Sequence, residues 1–380
     1  MNRLKSAVTA TVIVATLALA GCAGSSPGSY DPAQTAADSD AVLKASLESA
    51  VTGLLGETGI PGAVFLVTRD GKELWSFAFN SPDQDALPVA LDQNFGYRSI
   101  TKSFTVTALL MLVDEGSLSL DDPISTFVDG VPSGDEISLR NLAEMRSGLA
   151  NYSALPEIGA LINDDPTAPL TEEQLISPAL AVPLAFSPGA QFSYSNTNTV
   201  LLGMVIEKVT GKPWGEEVVG LATEPLGLDS IAYPADGVIA EPAATPYQWT
   251  DDTLELLPTV APSMFGAAGG LFGNVTDLAS WADELGSGSL LSVETQEARL
   301  ASFQPATGDP NAPEYDAYGM GMGKIGDYVG HTGTGLGFQG LAMNNPKTGV
   351  SVAILLNSTT ADSDLPAHLF KLMEPVLVKQ

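Results

Sequence analysis

A serine hydroxyl is a poor nucleophile until a neighbour takes its proton, and a lysine shielded from water can be that neighbour. Ser99 and Lys102 stand three residues apart in the segment Tyr97-Arg98-Ser99-Ile100-Thr101-Lys102-Ser103-Phe104. The apolar run that follows, 104–114, stopped by Gly116, predicts that this segment opens a helix. Residues three apart on a helix share a face, so the ammonium can reach the hydroxyl. A helix start also aims unpaired backbone N–H groups and the positive dipole end at any oxyanion forming beside Ser99. The same spacing suits an N-cap serine with a solvated lysine one turn on, so the pair alone leaves the chemistry open.

Two more groupings bear on that choice. Phe192-Ser193-Tyr194-Ser195-Asn196 places a Tyr-x-Asn ahead of an apolar helical run at 200–209. Near the C-terminus, His331-Thr332-Gly333 and Lys347-Thr348-Gly349 are two versions of one tripeptide. Rival chemistries are poorly supplied. Gly24-Ser25-Ser26-Pro27-Gly28 matches a nucleophile-elbow pattern but lies in a loop-like stretch, away from any strand-to-helix junction. His331 and His368 are far apart and Cys22 is the single cysteine, which leaves no dedicated zinc set, disulfide or body thiol, and no cofactor is implied. A net charge of −29 without a Lys/Arg run argues against a nucleic-acid partner.

The positioning elements follow from periodicity. Helical spacing is expected over 39–56, and strands over 63–68 and 73–79 join at Asp70-Gly71 as a hairpin. Helical patterns dominate 99–209, with Pro- and Gly-rich loops over much of 150–190 and 225–265. A helix at 276–285, strands near 318–330, 336–344 and 350–357, and an amphipathic stretch at 365–378 complete the chain. Strands at both ends with helices between predict an α+β fold, one sheet built from the two termini around a helical insertion. The expected division is a sheet subdomain, 39–95 with 266–380, and a helical subdomain, 96–265.

Ser99-x-x-Lys102, Tyr194-x-Asn196 and a downstream His/Lys-Thr-Gly occur in the order typical of the penicillin-recognising serine enzymes. The chain resembles the serine β-lactamase-related family: class C β-lactamases, D-alanyl-D-alanine carboxypeptidases and their esterase and aminopeptidase relatives. The likeness extends over about residues 40–378, through Pro61-Gly62-Ala63, Leu118-Ser119-Leu120-Asp121-Asp122-Pro123 and Ala268-Gly269-Gly270. In that family the third motif lies on a strand beside the nucleophile. Residues 327–332 suit such a strand, followed by a turn at 333–337, whereas Lys347-Thr348-Gly349 follows Asn344-Asn345-Pro346, a strong turn composition. His331-Thr332-Gly333 is therefore the expected site motif.

The resemblance implies that Ser99 attacks an acyl carbonyl, with Lys102 and Tyr194 sharing the base role. Tyr194, its pKa lowered by Lys102, would protonate the leaving group and later activate water. The N–H groups of Ser99 and Thr334 would form the oxyanion hole, Asn196 would orient Lys102 and the substrate amide, and His331, Thr332 and Thr334 would meet the substrate's carboxylate end. His-Thr-Gly-Thr favours the carboxypeptidase branch acting on peptidoglycan peptides. The alternatives are an esterase or class C-like β-lactamase on small acyl esters or β-lactams, or a non-catalytic envelope-binding protein. One departure stands out: a carboxylate-binding Arg expected after Tyr318-Gly319-Met320-Gly321-Met322 is replaced by Lys324, one residue late, which on a strand points to the other face.

Residues 1–21 resemble a bacterial lipoprotein signal: MNRLK, an apolar stretch at 6–20, and Leu19-Ala20-Gly21-Cys22 as lipobox. Lipidation of Cys22, a tether over 22–38 and an extracytoplasmic, membrane-anchored body at the cell envelope are the expectations that follow.

Overall fold

A continuous apolar and β-branched run makes the segment Gly62–Arg69 a strand buried on both faces. Ala63, Phe65 and Val67 join one core cluster, while Val64 and Leu66 join the other. This strand, β1, pairs with β2 (Lys72–Asn80) across the Asp70-Gly71 turn. The rest of the sheet comes from the C-terminal part: β3 (Gln304–Pro305), β4 (Ala317–Tyr318), β5 (Gly323–Ile325), β6 (Tyr328–Gly335), β7 (Phe338–Asn345) and β8 (Val350–Leu356). The eight strands run in the order β2-β1-β8-β7-β6-β5-β4-β3, each neighbour antiparallel. The two chain ends thus meet at the β1–β8 pair, as the pattern of strands at both ends predicts.

The structure, a computed structural model, describes residues 32–250, 253–258, 260–306, 309 and 312–378. The expected signal segment 1–21, Cys22 and the tether up to residue 31 lie outside the described residues. Helix α1 (Pro32–Thr58) starts seven residues before the expected position, so residues 32–38 of the expected tether are helical. Proline suits a first helical position because its missing N–H has no partner there anyway. Among the described residues no helix is long and apolar enough to cross a membrane.

The described residues from 42 onward form one compact unit. One sheet face packs Leu47, Val51 and Leu55 of α1 together with the C-terminal helix, Leu365–Leu377, through Leu369, Phe370 and Met373. The other face carries α4 (Val275–Ser287) and α2 (Thr101–Asp114), and α3 (Asn196–Thr210) packs on α2. Phe104 of α2 stacks on Trp281 of α4 with centroids 3.7 Å apart, and the indole N–H donates to Ser103 Oγ at 2.8 Å. These contacts fix the start of α2 against the sheet.

The region 225–265, expected as loop, contains two short strands, Tyr247–Thr250 and Thr253–Leu256, in a small sheet with Ser358–Thr359. Four-residue strands carry too little alternation to stand out among prolines and glycines.

Candidate active site

Ser99 lies in a single 3-10 turn, Arg98–Ile100, that feeds directly into α2. Arg98 enters the turn at φ +51°, a left-handed conformation costing a non-glycine residue about 1–3 kcal/mol unless its surroundings hold it. Its guanidinium supplies that hold: Nε donates to the Gly335 carbonyl at 2.9 Å and Nη2 to the Leu336 carbonyl at 3.0 Å. The rings of Phe265, Phe338 and Phe272 surround it at 4.3, 5.1 and 5.4 Å. Burial lowers its pKa to about 9. The nucleophile's turn is thereby tied to the end of β6.

Lys102 is fully buried, and its Nζ donates to Ser99 Oγ at 2.9 Å and to the Ala268 carbonyl at 2.7 Å. Desolvation pushes its pKa well below the ordinary lysine value. Tyr194 packs its ring 5.2 Å from Nζ, and its buried hydroxyl lies beside that of Ser99. Burial first, then the charge it would share with Tyr315, raise the Tyr194 pKa, with the nearby Ser99 hydroxyl opposing. The expectation that Lys102 lowers the Tyr194 pKa is corrected: burial holds the lysine toward its neutral amine and the phenol toward its protonated form.

The third motif is on β6, as expected, but its members differ in what they do. His331 is fully buried and does not reach the cleft. Its Nδ1 meets Tyr315 Oη at 3.2 Å and its Nε2 meets Tyr318 Oη at 3.1 Å. Burial first, then the charge of Lys102, depress its pKa to about 3, so it is a neutral imidazole and not a carboxylate ligand. Thr332 is pinned by Tyr315, whose hydroxyl lies 2.7 Å from Oγ1 and accepts the Thr332 N–H at 2.7 Å. At Gly333 a Cβ would stand 2.2 Å from the Tyr97 carbonyl and 3.1 Å from the Ser99 nitrogen, so only glycine lets the strand approach the nucleophile's backbone. Thr334 is still within β6 and donates through Oγ1 to the Ser363 carbonyl at 2.6 Å. The expected turn at 333–337 is therefore shorter, because the β6–β7 ladder continues through Gly335–Phe338.

Asn196 opens α3, with Nδ2 donating to Ser153 Oγ at 2.8 Å, and makes no hydrogen bond to Lys102. The expected contact with Lys102 is not formed, the described partners of Nζ being Ser99 Oγ and the Ala268 carbonyl. Asn196 Oδ1 is buried without a partner. Lys347-Thr348-Gly349 is the β7–β8 turn, with Gly349 at φ +66° and Lys347 exposed against Asp327. Lys324 sits on β5 opposite Val329 and is not on the cleft wall.

Ser99 lies where two hollows meet. One, about 190 Å³, is mostly apolar, lined by Tyr152, Ile158, Ile162, Met264, Phe265 and Leu336 as well as Arg98. The other, about 420 Å³, is polar and contains Tyr194, Thr332, Ser363 and Asp364. Asn196 and Thr334 border both. A larger groove of about 790 Å³ around Trp249 and Thr359 lacks any nucleophile–base pair. Arg98, Tyr315 and Asp364 are participants that sequence reasoning missed. Arg98 was in the quoted motif, but its left-handed backbone leaves no mark in the sequence, and Tyr315 and Asp364 fall in irregular segments.

Residues 47–372 match the family described as Beta-lactamase. The chain belongs to the beta-lactamase family. This family member shares 32% identity over 234 residues with Esterase EstB of Burkholderia gladioli, a match covering 58% of each chain. It thus spans little more than half the length of that curated relative. Among solved structures, a D-stereospecific amidohydrolase from Streptomyces sp. superposes with a TM-score of 0.75 at 29% identity, covering 88% of this chain and 99% of that one. The octameric penicillin-binding protein homologue from Pyrococcus abyssi gives a TM-score of 0.75 at 28% identity, covering 88% and 77%. The fold is the β-lactamase/transpeptidase-like α+β arrangement, and the family is one of serine hydrolases.

Proposed function

We propose that the protein hydrolyses small carboxylic esters or amides through an acyl-enzyme on Ser99. The observation that carries this reading is the Ser99–Lys102 pair, in which a fully buried amine, held toward its neutral form by desolvation, lies 2.9 Å from the hydroxyl without a carboxylate partner among the described ion pairs. Ser99 Oγ adds to the acyl carbonyl as its proton passes to Lys102, and the phenol of Tyr194 gives its proton to the departing oxygen or nitrogen. In the second half Tyr194 and Lys102 take a proton from water, which attacks the acyl carbon. Backbone N–H groups of Ser99 and Thr334 stabilise the oxyanion at each stage.

A carboxypeptidase acting on peptides that end in D-alanine fits less well. Its substrate carries a carboxylate, yet His331 is neutral, Lys324 is off the wall, and Arg98 is the only cation lining either hollow among the described residues. Two of the Arg98 donors are already committed to carbonyls. The names of the esterase and amidohydrolase relatives lean the same way. A β-lactam would open through the same Ser99 chemistry. Short-chain nitrophenyl esters, amino-acid amides, D-Ala-D-Ala peptides and nitrocefin, assayed on wild type and Ser99→Ala, test the reading. Ester or amide turnover lost by at least about 10³-fold in the variant supports it, and turnover confined to D-Ala-D-Ala peptides overturns it.

The lipobox-like segment supports a further part of this proposal, that the enzyme works at a bacterial cell envelope, tethered through lipidated Cys22.

A further inference from the structure

The two hollows beside Ser99 are chemically distinct, and Tyr194 assigns them. It borders the polar hollow and is absent from the walls of the apolar one. Its hydroxyl lies beside that of Ser99 and the residue is 8% exposed, so a protonating phenol stands next to the reacting centre on that side. A leaving group must depart toward the acid that protonates it. The apolar hollow then receives the acyl chain.

The polar hollow carries a carboxylate with no cation on it. Asp364, half-buried, receives the Glu314 N–H at 3.2 Å and the Ser363 hydroxyl at 3.3 Å. The neighbouring acids are matched: Glu314 pairs with Lys371 at 2.7 Å and His368 at 3.3 Å, and Asp362 pairs with His368 at 2.7 Å. Asp364 has no ion pair among the described residues. Its place in the wall is fixed by Thr334, whose Oγ1 binds the carbonyl of the adjacent Ser363. A carboxylate entering this hollow meets like charge, and an ammonium meets an unneutralised partner.

We propose that this hollow is a leaving-group subsite in which Asp364 selects substrates whose departing alcohol or amine carries an ammonium. The inference rests on the Ser99 acyl-enzyme reading. In the acylation step the Ser99 Oγ–acyl bond forms and its proton goes to Lys102, while the acyl–leaving-group bond breaks. Tyr194 supplies the proton that the departing oxygen or nitrogen needs and recovers one from Lys102. The remote ammonium takes no part in bond-making and is held by Asp364 throughout.

Three esters with one short acyl group test this: a trimethylammonioethyl ester, its neutral dimethylbutyl isostere, and a carboxypropyl ester. For wild type, kcat/KM should rank ammonium over neutral by about three- to fivefold, with the carboxylate slowest. In Asp364→Asn the ammonium-to-neutral ratio should fall toward one. Should that variant not fold, added salt should shrink the same ratio in wild type, because the contact is partly exposed. Equal turnover of the three esters by wild type, or a preference that survives both Asp364→Asn and salt, overturns the subsite while leaving the acyl-enzyme intact. If none of the three gives Ser99-dependent turnover, the acyl-enzyme reading falls and the subsite with it.

Discussion

An ammonium taken out of water without a carboxylate favours losing its proton. Lys102 is in that position, with a hydroxyl and a carbonyl as its hydrogen-bond partners. Acylation should therefore rise with pH as Lys102 deprotonates, with the limb centred below the ordinary lysine value of 10.5. Lys102→Met should lose about 10²–10⁴-fold in acylation and lose that limb, which a pre-steady-state pH series would read. His331 gives a stability prediction instead. Its pKa is about 3 in the folded protein and near 6.5 in the unfolded chain, so below 6.5 only the unfolded chain takes up the proton. Stability is unaffected above 6.5 and should fall by up to about 1.4 kcal/mol per pH unit on the way down to 3. Urea unfolding above and below pH 6.5 should show that slope in wild type and a shallower one in His331→Gln.

Two elements set the geometry at Ser99: the start of α2 and the end of β6. Their meeting requires glycine at 333, where a Cβ would strike the Tyr97 carbonyl. Gly333→Ala should cost about 1–3 kcal/mol of stability by forcing the strand away, and turnover should drop more than folded content, measured together by activity and circular dichroism. Trp281 clamps α2 from its other side, so Trp281→Ala should destabilise by about 3–5 kcal/mol in urea unfolding. These dependencies explain what could be read in the sequence. Continuous apolar and β-branched runs over 63–68 and 350–357, bounded by turn residues, and the longer apolar run at 104–114 identify sheet and helix, because burial on both faces leaves an unbroken apolar stretch in the residues. Ser99 and Lys102 stand out in the sequence through their types and spacing, and the roles expected for them and for Tyr194 come from the family resemblance. The neutral state of His331 was not legible, since it depends on Tyr315 and Tyr318 closing over the ring from an irregular segment. Nor was the Arg98 link to Gly335 and Leu336, which joins residues more than two hundred positions apart.

At the scale of the whole molecule, one compact unit of the described residues from 42 onward holds a serine–lysine–tyrosine group between an apolar and an acidic hollow. The N-terminal segment predicts where it works: cells fed a labelled fatty acid should yield labelled protein in the membrane fraction, and Cys22→Ser should remove the label and release the protein. The central claim, that Ser99 becomes acylated, is open to direct reading. Wild type mixed with a short-chain activated ester, quenched in acid and weighed intact, should gain the mass of one acyl group. Fragmentation should locate it on the peptide containing Ser99, and Ser99→Ala should gain nothing. Turnover without any adduct, or an adduct that persists in Ser99→Ala, would contradict the account.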